Sequence, residues 1–130
     1  DRRRRLAAAL RHGRDRGVTG RRLCRLADIP DGGSAGFELP DADGDQPLQV
    51  MVIRRGAEVF CYVNVCPHWG APLDITPGQF LDRDRRHILC STHGALFRIE
   101  DGRCIRGPCL GATLATVGCR IDDAADIFID

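Results

Sequence analysis

Two short clusters of cysteine and histidine constrain this chain more than any other feature. The first runs Cys66-Pro67-His68-Trp69-Gly70-Ala71-Pro72-Leu73, the second Cys90-Ser91-Thr92-His93-Gly94-Ala95-Leu96-Phe97. Each follows an apolar run with strand character, so each sits on a turn projecting from a β-framework. Together they read C-x-H, 21 intervening residues, then C-x-x-H. Two thiols and two imidazoles on matched turns make a four-ligand metal site, and the fold must bring those turns together. A tetrahedral zinc site takes the same donors. Cys66 and His68 are one residue apart, however, which is tight for chelating one ion and natural if the side chains bind different metal atoms. A 2Fe–2S cluster offers that arrangement, two Cys on one iron and two His on the other. Gly70 and Gly94 beyond the histidines remove side-chain bulk where backbone must approach bridging sulfides. The plainer alternative makes the thiols small core residues and the histidines structural.

The rest of the chain reads as short strands. Arg22–Ile29 begins one, closed by Pro30 and an Asp31-Gly32-Gly33 turn; Gly36–Leu39 is another. Leu48–Arg54 is rich in β-formers and turns at Arg55-Gly56 into Ala57–Val65. There Val59, Cys61, Val63 and Val65 fall on one face, the period of a half-buried strand. His87–Leu89, Leu96–Glu100 and Arg103–Arg106 follow, with Asp101-Gly102 as a hairpin turn. Leu114–Ile121 and Ala124–Ile129 finish the chain around a turn at Asp122-Asp123, and Asp41–Gln46 is a further polar turn. The expected fold is all-β, a small antiparallel β-sandwich or barrel.

Charge divides the chain in two. Residues 1–20 carry seven Arg and two Asp, while residues 21–130 carry twelve Arg and sixteen acids. The expected organisation is a basic leader over 1–20, a short helix or disordered, and a metal-binding domain over 21–130. A net charge of +1 disfavours a nucleic-acid binder. No apolar run approaches the roughly 20 residues of a membrane span, and Leu6–Leu10 falls short of a secretory signal. A reducing cytoplasm is therefore expected, with the seven cysteines as thiols or metal ligands. Cys24, Cys61 and Cys119 read as core. Cys104 and Cys109 flank Gly107-Pro108 and read as two packed thiols, with a disulfide or a second metal site as the alternative. His87 reads as a strand residue and Asp82–Arg86 as a solvated loop.

The two clusters resemble the Rieske iron–sulfur proteins. C-P-H-x-G-A-P-L followed by C-x-x-H-G-A-x-F is similar to the pattern of small Rieske-type ferredoxins, and Gly107-Pro108 matches the proline-bearing loop that covers their cluster. The resemblance spans residues 22–129. It implies one 2Fe–2S cluster per chain, with Cys66 and Cys90 on one iron and His68 and His93 on the other. The gap between the clusters is longer than is commonest in the family, and the excess is expected at Pro77–Arg86 as an exposed hairpin. High-potential respiratory members carry an extra Cys in each loop, where this chain has Ala71 and Thr92. They also carry a Ser and a Tyr that donate to the cluster, where this chain has Ala95 and Phe97. The resemblance therefore implies a low-potential centre.

The function so implied is a one-electron carrier between a reductase and an oxygenase. Trp69 and Pro108 would form the docking rim, and the acidic domain would meet a basic patch on the reductase. An enzyme is disfavoured: a mononuclear iron needs two further histidines and a carboxylate, and the two left after the cluster ligands, His12 in the leader and His87 near the second cluster, have no separate catalytic domain to bring them together. The alternative function is a non-redox zinc-binding module, or a Rieske-like interaction module without a stable cluster.

Overall fold

The computed structural model describes residues 21–39, 47–67, 70–91 and 94–129. The expected leader over 1–20 and the polar turn at Asp41–Gln46 lie outside the described residues, as do His68, Trp69, Thr92 and His93. The strands are β1 (Arg21–Arg25), β2 (Ser34–Leu39), β3 (Leu48–Arg55), β4 (Glu58–Val63), β5 (His87–Cys90), β6 (Ala95–Arg98), β7 (Cys104–Arg106), β8 (Thr116–Val117), β9 (Cys119–Ile121) and β10 (Asp126–Ile129). They form three sheets, ordered β1-β10-β9, β2-β3-β4-β8 and β5-β6-β7. Every pairing is antiparallel. One 3₁₀ turn, Leu26–Asp28, is the sole helical element among the described residues. The expected all-β, antiparallel class is the one observed.

β3 explains how the sheets come together. Its central residues Val50, Met51, Val52 and Ile53 are all completely buried. Alternation sends Val50 and Val52 into a core with Cys24, Leu39, Ile127 and Ile129. Met51 and Ile53 point the other way, into a core with Tyr62, Phe80, Ile88 and Phe97. Branched and long apolar side chains suit a strand buried on both faces. Each such side chain contributes roughly 1.5–3 kcal/mol on burial. β4 repeats the division. Cys61 and Val63 face the first core, flanked by Val59 and Val65, and Tyr62 faces the second. Its hydroxyl donates to Ile99 O at 2.5 Å.

Three sequence expectations change. The single strand expected over Leu114–Ile121 is two, because β8 pairs with β4 and β9 pairs with β10. The chain changes sheets at Gly118, and a period of two carries no mark of that switch. The strand expected over Arg22–Ile29 ends at Arg25. There Arg25 N donates to Asp28 Oδ2 at 3.0 Å and Ile29 N to Leu26 O at 3.1 Å, closing a turn instead. Pro77–Arg86 is only in part the exposed hairpin expected: its outer end turns back on Ile88 and Leu89, but its middle is anchored in the core. Phe80 is fully buried, Leu81 bridges Ile88, and Leu89 N donates to Phe80 O at 2.7 Å. The Arg83–Arg86 tip is exposed, as are Pro77 and Gln79. Asp82 Oδ1 closes it by accepting from the Arg86 and His87 amides.

Candidate metal centre

Both candidate cysteines stand where a strand gives way to a turn. Cys66 lies three residues beyond β4, and Cys90 is the last residue of β5. Each is 1% exposed, and both belong to the core that holds Leu73, Ala95, Phe97, Cys104 and Cys109. The two turns share a geometry. Gly70 N donates to Cys66 O at 2.7 Å, and Gly94 N donates to Cys90 O at 2.8 Å. Each bond closes a four-residue step, and each glycine is left-handed, φ 74° at Gly70 and 72° at Gly94. A side chain at either position would be strained, which is the reason glycine recurs there. A direct bond from Ser91 N to Leu73 O at 3.0 Å ties one turn to the other.

A buried polar side chain, Asn64, sets the first turn. It is 4% exposed. Its Oδ1 accepts from Leu73 N at 2.8 Å, and its Nδ2 donates to Asp74 Oδ1 at 2.9 Å. Asp74 Oδ2 in turn accepts from Gly78 N at 3.0 Å. The loop from Cys66 to Leu73 is thus clamped back onto Asn64, two residues before it. Sequence reading passed over Asn64, which stood inside an expected strand; the signal was a lone amide ending an apolar run. Asn64→Leu is expected to cost about 2 kcal/mol, because the buried Leu73 N–H loses its acceptor. Chemical denaturation of the variant checks this, and a change within 0.5 kcal/mol (about the scatter of ordinary surface substitutions) would remove Asn64 from the clamp.

The Gly107-Pro108 loop packs against the second turn. A Cβ on Gly107 would lie 2.8 Å from Ala95 Cα, so glycine alone permits the approach. Cys104 and Cys109 meet beneath this loop, as packed thiols, with sulfurs 3.3 Å apart. Burial first, and then the bond to Cys104, push the Cys109 thiol up to about 12. Cys66 acts on it in the same direction, and both thiols belong to one core. Cys24 and Cys61 are buried in the other core, and Cys119 is half-buried at its edge. His87 opens β5, with Nδ1 3.5 Å from Asp82 Oδ2.

The structure therefore brings together the thiol half of the expected four-ligand set, while His68 and His93 lie outside the described residues. Among the described residues no group of three or more His, Cys, Asp or Glu is placed to hold a metal ion. The donor chemistry fits an iron–sulfur cluster. Two thiolates in a site this buried are costly unless a cationic centre compensates them, and the matched turns present one thiol each.

Charge is unevenly placed. Residues 66–115, which supply most of the core around Cys66 and Cys90, hold six Arg and five acids. The acidity of residues 21–130 comes from the remaining segments, with six Arg and eleven acids.

No curated protein sequence matches the chain. Solved structures do. The ferredoxin of carbazole 1,9a-dioxygenase from Nocardioides aromaticivorans IC177 is 27% identical, with TM-score 0.66, covering 86% of this chain and 97% of its own. A complex of reduced oxygenase and oxidized ferredoxin in carbazole 1,9a-dioxygenase gives 20% identity and TM-score 0.63, over 85% of this chain and 100% of that one. A putative NADH-dependent nitrite reductase small subunit from Mycobacterium tuberculosis gives 22% and 0.60, over 84% and 91%. The last two show likeness of fold. The family described as the Rieske [2Fe-2S] domain matches residues 21–118. That match covers most of the chain and contains both turns, the clamp and the proline loop, and the chain belongs to the Rieske [2Fe-2S] domain family, whose cofactor is a 2Fe–2S cluster.

Proposed function

We propose that this chain is a one-electron carrier, passing electrons from a reductase to an oxygenase in the cytoplasm and catalysing no reaction of its own. The observation that carries the reading is the pair of matched turns, each presenting a buried cysteine at the same point. Cys66 and Cys90 would hold one iron and His68 and His93 the other, within a domain of residues 21–130 preceded by a basic leader. A cluster held there would supply one-electron transfer. Two similar structures are ferredoxins of an oxygenase, which supports that class of partner.

The chain's own residues favour a low potential. Ala95 and Phe97, both fully buried beside the turns, have no hydroxyl to donate. Fewer donors stabilise the added electron less. Leu110, on the proline loop, and Ile75, two residues beyond Leu73, are 69% and 70% exposed, and would add apolar surface to the rim expected at Trp69 and Pro108. The near-balanced charge of residues 66–115 makes this rim suited to an apolar contact. Electrostatic steering would come from the acidic remainder of the domain and act at longer range.

Anaerobically purified protein should contain two iron and two acid-labile sulfide per chain, with a midpoint in the lower part of the Rieske range, below about 0 mV. Stoichiometric zinc without sulfide would sink the reading. A midpoint near the top of the range, roughly +300 mV, would overturn the low-potential assignment alone.

A further inference from the structure

The electron-carrier reading makes no use of the Cys104–Cys109 pair. β7 supplies Cys104, and the turn after Pro108 supplies Cys109. Cys104 N donates to Ala112 O at 2.7 Å and Gly111 N to Cys104 O at 3.0 Å, fixing the returning chain against β7. Within the turn, Leu110 N donates to Gly107 O at 3.2 Å and Ala112 N to Cys109 O at 2.9 Å. These bonds hold the two sulfurs 3.3 Å apart. A disulfide needs about 2.05 Å, so closure requires a movement of about 1.3 Å, within reach of side-chain rotation in a short turn. Both thiol protons are engaged: Cys109 Sγ donates to Cys104 Sγ, and Cys104 Sγ donates to Arg106 O at 3.2 Å. Both sulfurs are buried, with Cys104 1% exposed and Cys109 8%.

We propose that Cys104 and Cys109 form a reversible disulfide across the Gly107-Pro108 turn, a two-electron modification site beside the one-electron centre. The oxidant is a low-molecular-weight disulfide of the glutathione class. Opening of the Gly107–Ala112 turn exposes Cys109 and releases it from the burial and the Cys104 bond that hold its proton on; Cys109 then loses that proton to solvent and attacks one sulfur of that disulfide. Its S–S bond breaks, and one small thiol leaves with a proton. Cys104 then loses its proton and displaces the second small thiol, forming the protein S–S bond. Two protein thiols are oxidised and one small disulfide is reduced to two thiols, so atoms and electrons balance. The bond converts a thiol contact into a covalent clip at the base of the loop that packs on Ala95. Bond formation rests on the geometry of residues 104–112 alone, whereas its meaning as a lock over the cluster rests on the proposed function.

The test incubates the cluster-bearing full chain with oxidised glutathione, then denatures and alkylates it. Labelled cysteines should fall from seven to five. Trypsin cuts after Arg103 and Arg106, so Cys104–Arg106 should be recovered joined to Gly107–Arg120, and dithiothreitol should release it. Cys119 shares the second peptide, and Cys109→Ser, which should abolish the link, assigns the sulfur. Should that variant misfold, fragmentation of the wild-type link between Cys109 and Cys119 makes the same assignment. Seven labelled cysteines, a glutathione adduct that Cys104 never resolves, or a link that maps to Cys119 would overturn the proposal. Protein that lacks iron yet forms the link would instead count against the cluster reading alone.

Discussion

Cys66→Ser or Cys90→Ser is expected to purify without its cluster, with loss of essentially all iron, labile sulfide and visible absorbance. Both thiols are buried at 1% exposure, and a neutral hydroxyl there leaves the iron charge uncompensated. The histidine variants should differ in kind. His68→Cys or His93→Cys should retain a cluster whose midpoint falls by about 100 mV or more, towards the roughly −400 mV of all-cysteine plant-type centres. The added thiolate makes the site more negative and the extra electron less welcome. Iron and sulfide analysis with potentiometry on the four variants reads both effects. Full clusters in both serine variants, or an unchanged potential in a cluster-bearing histidine variant, would contradict the ligand assignment.

Gly107→Ala should be among the most damaging single-methyl changes available in the fold. The added carbon would meet Ala95 Cα at 2.8 Å and Ala95 Cβ at 3.1 Å, and it would sit at φ 108°. The left-handed backbone costs roughly 1–2 kcal/mol for a residue with a Cβ, and the collision adds overpacking of about 1–3 kcal/mol. A loss of about 3 kcal/mol follows, which in a domain of this size lowers the melting temperature on the order of 10 °C. Gly111→Ala is the matched control. It has φ 89° and nothing within 4 Å of the added carbon, so it carries the backbone cost without the collision. Equal melting temperatures for the two variants would show that the contact with Ala95 is not what holds the proline loop. Cluster loss on dilution should be faster in Gly107→Ala than in Gly111→Ala, because only the former lifts the cover.

The candidate site was legible as residues that advertise their chemistry, and the structure describes its two cysteines. Cysteines and histidines at short spacings stand out in any context, and the glycines beside them recur for a conformational reason that sequence expresses. Asn64 was not legible, because a single amide becomes a clamp only once Leu73 and Asp74 fold back onto it. The strands were visible wherever alternation ran unbroken, as at Val59, Cys61 and Val63. They were misjudged where the chain exchanged one sheet for another at Gly118, since both halves of that segment alternate correctly on their own. Phe80 was hidden by its neighbours: one buried aromatic amid proline, glycine and charge does not reveal that a loop is anchored. The domain's acidity was read correctly as a total, but a total does not say which segments carry it.

β3 is buried on both faces, and each core takes alternate residues from it. The metal-binding half therefore has no wall of its own. Excising the segment from Cys66 to Leu114 for grafting onto another scaffold would leave Phe80 and Ile88 facing solvent where Met51 and Ile53 had been. A transplant that keeps its metal must carry β3 and β4 with it, and with them the hydrophobic face belonging to the other core. The metal-binding half is not a portable cassette, because its floor is shared with the other core.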